Sequence, residues 1–342
     1  MRGAVRRRGR MPPVAGSPWR LTAGAGLALT AVLFLLPLLT VRGEGGGAAG
    51  ETENAPLTAT APEGQTTRAA RDRGHIVKLL QPDGTVEELT MADYLFGVVA
   101  AEMPAAFEEE ALKAQAATAR TYTLYKMLNG PVTGHTDADV CTDITCCQAY
   151  IDPAQAAANW GDAAPLYTQK IADAVAATDG QAILYGGRPI DAVFFSSAAG
   201  STLDAVEVWG GSVPYLTGVA SPEGEEVPDY RSQVTVPLEE FKTAFLAQYP
   251  QADLSGEAAG WFQNTVPTSN GGVETVDVGG VTVKGTALRT LFGLRSASFT
   301  VEAEGDQVVF SVTGYGHGVG MSQYGANALA KEGKSYLDIL TH

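Results

Sequence analysis

Residues Met91–Tyr122 read MADYLFGVVAAEMPAAFEEEALKAQAATARTY, and this stretch decides how the chain is built. Apolar residues recur at helical spacing up to Glu102, Pro104 stops the helix, and three acids then open a second helical run. The pattern predicts helices over Met91–Met103 and Glu108–Leu128, with Glu108, Glu109 and Glu110 complementing the positive end of the second. Glu102 is the odd residue. Three, four and seven positions before it stand Val99, Val98 and Leu95, so its carboxyl projects from the apolar face. Desolvation there and the negative end of the helix both disfavour its anion. A carboxylic acid kept protonated near neutral pH is what protonation of a leaving oxygen requires. The competing reading is a frayed helix end with Glu102 in water, or an ion pair with Lys113 or Arg120.

The second helix lines up Leu112, Ala116, Ala119 and Thr123 on one narrow side, which suggests close packing against the Glu102 helix. Gln115 and Arg120 could then reach the same cleft, or simply face solvent. Upstream, HIVKLLQPDGTVEELT (His75–Thr90) alternates about Pro82-Asp83-Gly84, a hairpin signal. Downstream we expect an Ala-rich helix from Pro153 to about Ala177, a hairpin turning at Gly186-Gly187, and helix over Val234–Tyr249. VETVDVGGVTVKG and ASFTVEAEGDQVVFSVTGYGHG read as further hairpins, and the chain ends in a Gly-rich loop and two short helices. Helices early and strands late, with no regular alternation, define an α+β fold: a helical segment carrying Glu102, packed on antiparallel hairpins.

The chain of 342 residues is 45% hydrophobic, enough for at least one sizeable core. Its formal charge is −15, but residues 1–42 hold seven Arg and no acid, so removing those seven charges leaves −22 on the remainder. A body that acidic is a poor partner for nucleic acid or anionic lipid. The Arg-rich residues 1–20 precede 21 uncharged residues, Leu21–Val41, about the ~20 a bilayer span requires. A cleaved signal peptide usually has a shorter apolar core and a small-residue cleavage site. We read residues 21–41 as a retained transmembrane anchor, 1–20 as its cytoplasmic tail, 42–73 as a flexible linker, and 74–342 as an extracytoplasmic domain.

GHTDADVCTDITCCQAY supplies His135, Cys141, Cys146 and Cys147. Three thiolates and an imidazole suit a closed tetrahedral Zn2+ site, which would be structural because no position stays open. A disulfide between Cys141 and one of its neighbours is the alternative. The glycines at 314, 316, 318, 320 and 325 around His317 let the backbone approach a ligand or another chain closely. They lack the Lys-Ser/Thr of a phosphate loop. FFSSAAGSTLDAVEVWGGSVPYL adds Ser196, Ser197, Trp209 and Tyr215; aromatics with hydroxyls suit sugar rings, and core packing is the other fate of the Trp.

Taken together, YLFGVVAAEMP, EALKAQAATARTYTLYK, GHTDADVCTDITCCQAY, FFSSAAGSTLDAVEVWGG with PYL, and GYGHGVGMSQYGANALAKEGKSYLDIL resemble the stage II sporulation protein D family of peptidoglycan lytic transglycosylases. The resemblance spans most of residues 75–342. It implies a membrane-anchored enzyme between mother cell and forespore. During engulfment it would cleave the MurNAc–GlcNAc bond of glycan strands already stripped of peptides (denuded) by an amidase. Engulfment membrane proteins would be its other partners. The family's catalytic Glu falls on Glu102, and its zinc ligands on His135, Cys141 and Cys147. The position before the last Cys, often His in the family, is Cys146 here. Gln115, Arg120, Ser196, Ser197, His317 and Gln323 are the residues we expect to line the substrate cleft. A zinc hydrolase is the less favoured enzyme, since H-E-x-x-H is absent. A non-catalytic glycan-binding activator of a partner amidase is the alternative to catalysis.

Overall fold

The structure, a computed structural model, describes residues 70–130, 132 and 137–342. Helix α1 (Ala70–Arg73) leads into β1 (Ile76–Leu80), β2 (Val86–Thr90), α2 (Met91–Glu102) and α3 (Glu109–Asn129). β3 (Val140–Cys141) precedes α4 (Pro153–Trp160), α5 (Ala164–Ala177), β4 (Leu184–Tyr185), β5 (Arg188–Pro189), β6 (Phe194–Phe195) and α6 (Ala205–Trp209). A strand-rich part follows: β7 (Arg231–Pro237), α7 (Leu238–Gln248), β8 (Phe262–Pro267), β9 (Val273–Val278), β10 (Val281–Lys284), α8 (Gly285–Phe292), β11 (Phe299–Glu304) and β12 (Gln307–Thr313). β13 (Met321–Ser322) runs into α9 (Gln323–Lys331) and α10 (Tyr336–Leu340). This is the expected α+β class, with antiparallel hairpins and two short parallel pairings, β1 with β3 and β6 with β13.

The β1–β2 hairpin forms about Gly84, whose φ of 86° needs a residue without a Cβ. Thr90 caps α2 by accepting from the Asp93 N–H at 3.2 Å. Pro104 follows the α2 C-cap, as its missing N–H dictates. Helix α3 is buried along most of its length because its alanines let α2, α5, α9 and α10 approach together. Leu112, Ala116, Ala119 and Thr123 are all buried there. Inside α2, Gly97 is required by packing: a Cβ would collide with the Tyr150 ring, which stacks on Tyr94 at 5.9 Å between centroids. These helices, with Val77 and Leu79 of β1, form the first hydrophobic core.

A second core gathers Phe241, Phe245, Phe310, Val276 and Leu288 from the strand-rich part, within the Val236–Val312 segment. The chain enters and leaves this part at one place, where the Gly314 N–H donates to the Tyr230 carbonyl at 2.8 Å.

Three expectations need correction. Residues 70–73, assigned to the flexible linker, form α1, and Asp72 is buried in the body. The helix expected over Pro153 to Ala177 is two helices, broken at Gly161 with φ 55° and restarted with Pro165 in the first turn. Val234–Tyr249 is helical only from Leu238. Val234 and Val236 alternate inward in β7, paired with Phe310 and Val308 of β12, and Pro237 separates strand from helix. Among the described residues no helix is long and apolar enough to cross a membrane. The tail 1–20, the anchor expected over 21–41 and residues 42–69 of the linker lie outside them.

Candidate active site

Glu102 is the last residue of α2, and two separate parts of the chain meet it there. Its Oε1 accepts from the Ala149 N–H at 2.6 Å, and its main-chain carbonyl accepts from the Gln323 side-chain amide at 2.9 Å. Burial pushes the Glu102 carboxyl above the usual carboxylate range, and the Ala149 and Gln323 donors offset only part of that. The residue is thus held as a weak acid in one orientation. The ion-pair readings of Glu102 fail. Lys113 pairs with Glu110 at 2.6 Å, and Arg120 pairs with Asp72 at 2.6 Å.

The Ala149 donor belongs to the cysteine loop. β3 pairs in parallel with β1, Leu80 opposite Cys141, which anchors the loop's start. The Cys146 and Cys147 N–H groups turn back on the Asp143 carbonyl, and the Tyr122 hydroxyl donates to the Cys146 carbonyl at 3.1 Å. Gln148 is buried and spans to α3, donating to Thr123 Oγ1 at 3.2 Å and to the Ala119 carbonyl at 3.4 Å. The next residue is Ala149, so the loop's fixed path sets where the Glu102 carboxylate is gripped.

Three thiols converge in that loop: the Sγ atoms of Cys141, Cys146 and Cys147 lie within 4.8 Å of one another, and those of Cys146 and Cys147 are 3.7 Å apart. Thiols donated by Cys141 and Cys147 hold the Cys146 sulfur near a pKa of about 3, while the same contact pushes Cys141 to about 11 and Cys147 up. A tetrahedral Zn2+ with Zn–S near 2.3 Å separates its sulfurs by about 3.8 Å, so the donor set fits that ion. His135, the fourth ligand expected from sequence, lies outside the described residues.

The other expected cleft residues divide. Gln323 reaches Glu102, as stated. Ser196 is partly exposed, and its carbonyl accepts from the Tyr324 N–H at 3.0 Å, tying it to the start of α9. Ser197 is buried and pairs through its backbone with Tyr315, so it is corrected from substrate contact to scaffold. Gln115 is fully buried among the α3 neighbours and offers no surface to a substrate. Arg120 is buried as well: besides its bidentate pair with Asp72, it donates to the Gln181 carbonyl at 3.2 Å and to Thr178 Oγ1 at 3.3 Å. It joins α1, α3 and the end of α5 rather than meeting a ligand.

His317 is corrected too. Its Nε2–H donates to the Phe194 carbonyl at 3.0 Å and its Nδ1 accepts from the Val319 N–H at 3.2 Å, so both ring nitrogens are used within the fold. Burial, aided by the Arg289 charge, lowers its pKa to about 4 and keeps it neutral. Trp209, half-buried, packs on the same ring at 5.5 Å between centroids. The glycines around His317 likewise serve the chain itself: a Cβ at Gly320 would strike the Val193 carbonyl.

One acid escaped the sequence reading. Asp191 is raised by burial against the opposing charge of Lys126, and its N–H donates to the Tyr215 hydroxyl at 3.3 Å. Its burial was not legible from the short segment Arg188–Val193.

Comparison with known proteins gives the class first, a sporulation protein. A family model described as Stage II sporulation protein matches residues 82–185. The chain is 35% identical over 319 residues to Stage II sporulation protein D of Bacillus subtilis (strain 168), covering 92% of this chain and 91% of that protein. It is 37% identical over 258 residues to Stage II sporulation protein D of Bacillus amyloliquefaciens, covering 75% and 73%. The Amidase enhancer of Bacillus subtilis (strain 168) is 30% identical over 298 residues, 72% of this chain and 39% of that protein. The chain belongs to the stage II sporulation protein D family.

Proposed function

We propose that this protein is a lytic transglycosylase that cleaves the MurNAc–GlcNAc bond of peptide-free glycan strands during engulfment. The observation that carries the reading is the protonated-prone Glu102, held between Ala149 and Gln323 at the end of an apolar helix face. Glu102 gives its proton to the glycosidic oxygen as the anomeric C–O bond breaks. The sugar's own 6-hydroxyl oxygen then bonds to the anomeric carbon, and its proton returns to the Glu102 carboxylate. Water takes no part, and the product is a 1,6-anhydro end. One carboxyl suffices, in contrast to the two-carboxylate hydrolytic scheme. Ser196, partly exposed where α9 begins, is the remaining cleft contact from the sequence reading.

In this reading residues 21–41 anchor the protein in the cell membrane and the acid faces the space between mother cell and forespore. A partner amidase supplies the denuded strands, and engulfment membrane proteins hold the assembly. Stripped glycan is close to neutral, so an acidic body meets little repulsion. Zn2+ bound by Cys141, Cys146 and Cys147 with His135 would supply structural rigidity to the loop that carries Ala149. The second reading, a glycan-binding activator of an amidase, is favoured by the similarity to the Amidase enhancer. Mass spectrometry of digested peptide-free glycan decides between them. The lyase releases ends lighter by one water and Glu102→Gln releases none; an activator releases none in either form.

A further inference from the structure

Glu223 is a buried carboxylate, 4% exposed, with no role in the chemistry above. Its Oε1 accepts from the Ala198 N–H at 2.7 Å and from the Ser322 hydroxyl. Ser322 is the N-cap of α9, and its Oγ accepts in turn from the Gly325 N–H at 3.2 Å. A carboxylate can only accept, so it fixes the direction of the Ser322 hydroxyl proton and leaves an oxygen lone pair aimed at Gly325. The second oxygen of Glu223 is buried beneath the first turn of α9, where a Cβ on Gly325 would come within 2.8 Å of it and within 2.4 Å of Ser221 Oγ. Glycine at 325 is what leaves room for the carboxylate. The positive end of α9 favours the charge placed there. An apolar side chain would fill the space at lower cost than a buried carboxyl.

Gln323 is the residue that follows Ser322. Its position is set by the same turn: the Tyr324 N–H holds the Ser196 carbonyl at 3.0 Å, and the Gln323 amide then reaches the Glu102 carbonyl at 2.9 Å. We infer that Glu223 is a positioning residue, seating the first turn of α9 through Ser322 so that Gln323 holds the end of the Glu102 helix. The relay runs Glu223, Ser322, Gln323, Glu102 and joins the Ser196–Ala198 loop to the acid. Its consequence for turnover rests on Glu102 being the working acid, but the relay itself does not.

Two measurements on the full-length chain test it. In 15N-labelled protein, exchange of the Gln323 side-chain amide protons with water should quicken about tenfold in Glu223→Gln and in Ser322→Ala, as expected for loss of a charge-assisted link. Unchanged exchange overturns the inference. Release of anhydro ends should fall about tenfold in Glu223→Gln with KM held, and Glu223→Gln combined with Gln323→Ala should be no slower than Gln323→Ala alone. Effects that multiply in full would show Glu223 acting elsewhere and overturn it. If Glu223→Gln does not fold, Ser322→Ala carries both measurements. If the unaltered protein releases no anhydro ends, the proposed reaction fails, and the amide exchange alone upholds or overturns the relay.

Discussion

The Ala149 N–H meets the Glu102 carboxylate at 2.6 Å, so a residue two positions beyond Cys147 grips the acid at the end of α2. That contact opposes, without cancelling, the desolvation that raises the Glu102 carboxyl above the usual carboxylate range. A loop that looks purely structural in sequence therefore grips the Glu102 carboxyl directly.

The first prediction concerns pH. The Glu102 carboxyl is raised above 4.5 in the folded chain, so the stability it contributes is full at low pH and is lost as pH rises through the raised value. Glu102→Gln removes that loss. The denaturation midpoint of the unaltered protein should fall relative to Glu102→Gln as pH climbs above 4.5, and release of anhydro ends should decline over the same range. A constant difference between the two proteins across pH would mean an ionised, wetted carboxyl.

The second concerns the buried pair between Asp72 and Arg120, 2.6 Å apart with both side chains enclosed. Asp72→Ala strands the guanidinium and should cost about 3–5 kcal/mol in urea unfolding. A chain begun at residue 74 should show the same loss, since it lacks α1. A cost below about 1 kcal/mol, the range of exposed pairs, would contradict the burial.

Metal removal gives the third. Purified protein should carry about one zinc per chain, and chelation should lower the melting temperature and quicken exchange of the Ala149 N–H. Glycan cleavage should fall in step and return with added zinc. Cys147→Ser should mimic chelation. Unaltered Ala149 exchange after full metal loss would separate the cysteines from the acid.

His317 supplies the fourth. Its pKa is lowered from 6.5 to about 4, so the stability tied to its neutral ring is full above pH 6.5 and is lost as pH falls toward 4. His317→Gln should unfold with a shallower acid slope between those values. An unchanged slope would show that the ring is already free to protonate.

Much of the first core was legible in the sequence because its signals are local. Pro104 separates two helices, Val98 and Val99 share a face with Glu102, and Gly84 marks the first hairpin. The errors arose where distant residues decide. Arg120 looks like a cleft cation until Asp72, 48 positions away, is seen to enclose it. His317 looks like a ligand group until Phe194 and Val319 take both nitrogens. The glycines near it signal close approach correctly, but the approaching atoms are the Val193 carbonyl and the Phe195 side chain, which no spacing rule can name. β7 was hidden because Val234 and Val236 sit beside a genuine helix pattern.

The neighbouring entry and exit of the strand-rich part at Tyr230 and Gly314 have a consequence for engineering. Residues 231–313 form a cassette: they carry their own aromatic interior and are spliced into the body at neighbouring points. Replacing them must also replace what they give the body: Ser269 and Asn270 donate to Asp204 beside α6, and the Arg295 carbonyl accepts from the Gly316 N–H at 2.9 Å. A swapped cassette has to keep those seams to leave the turn at Gly316 and His317 in place.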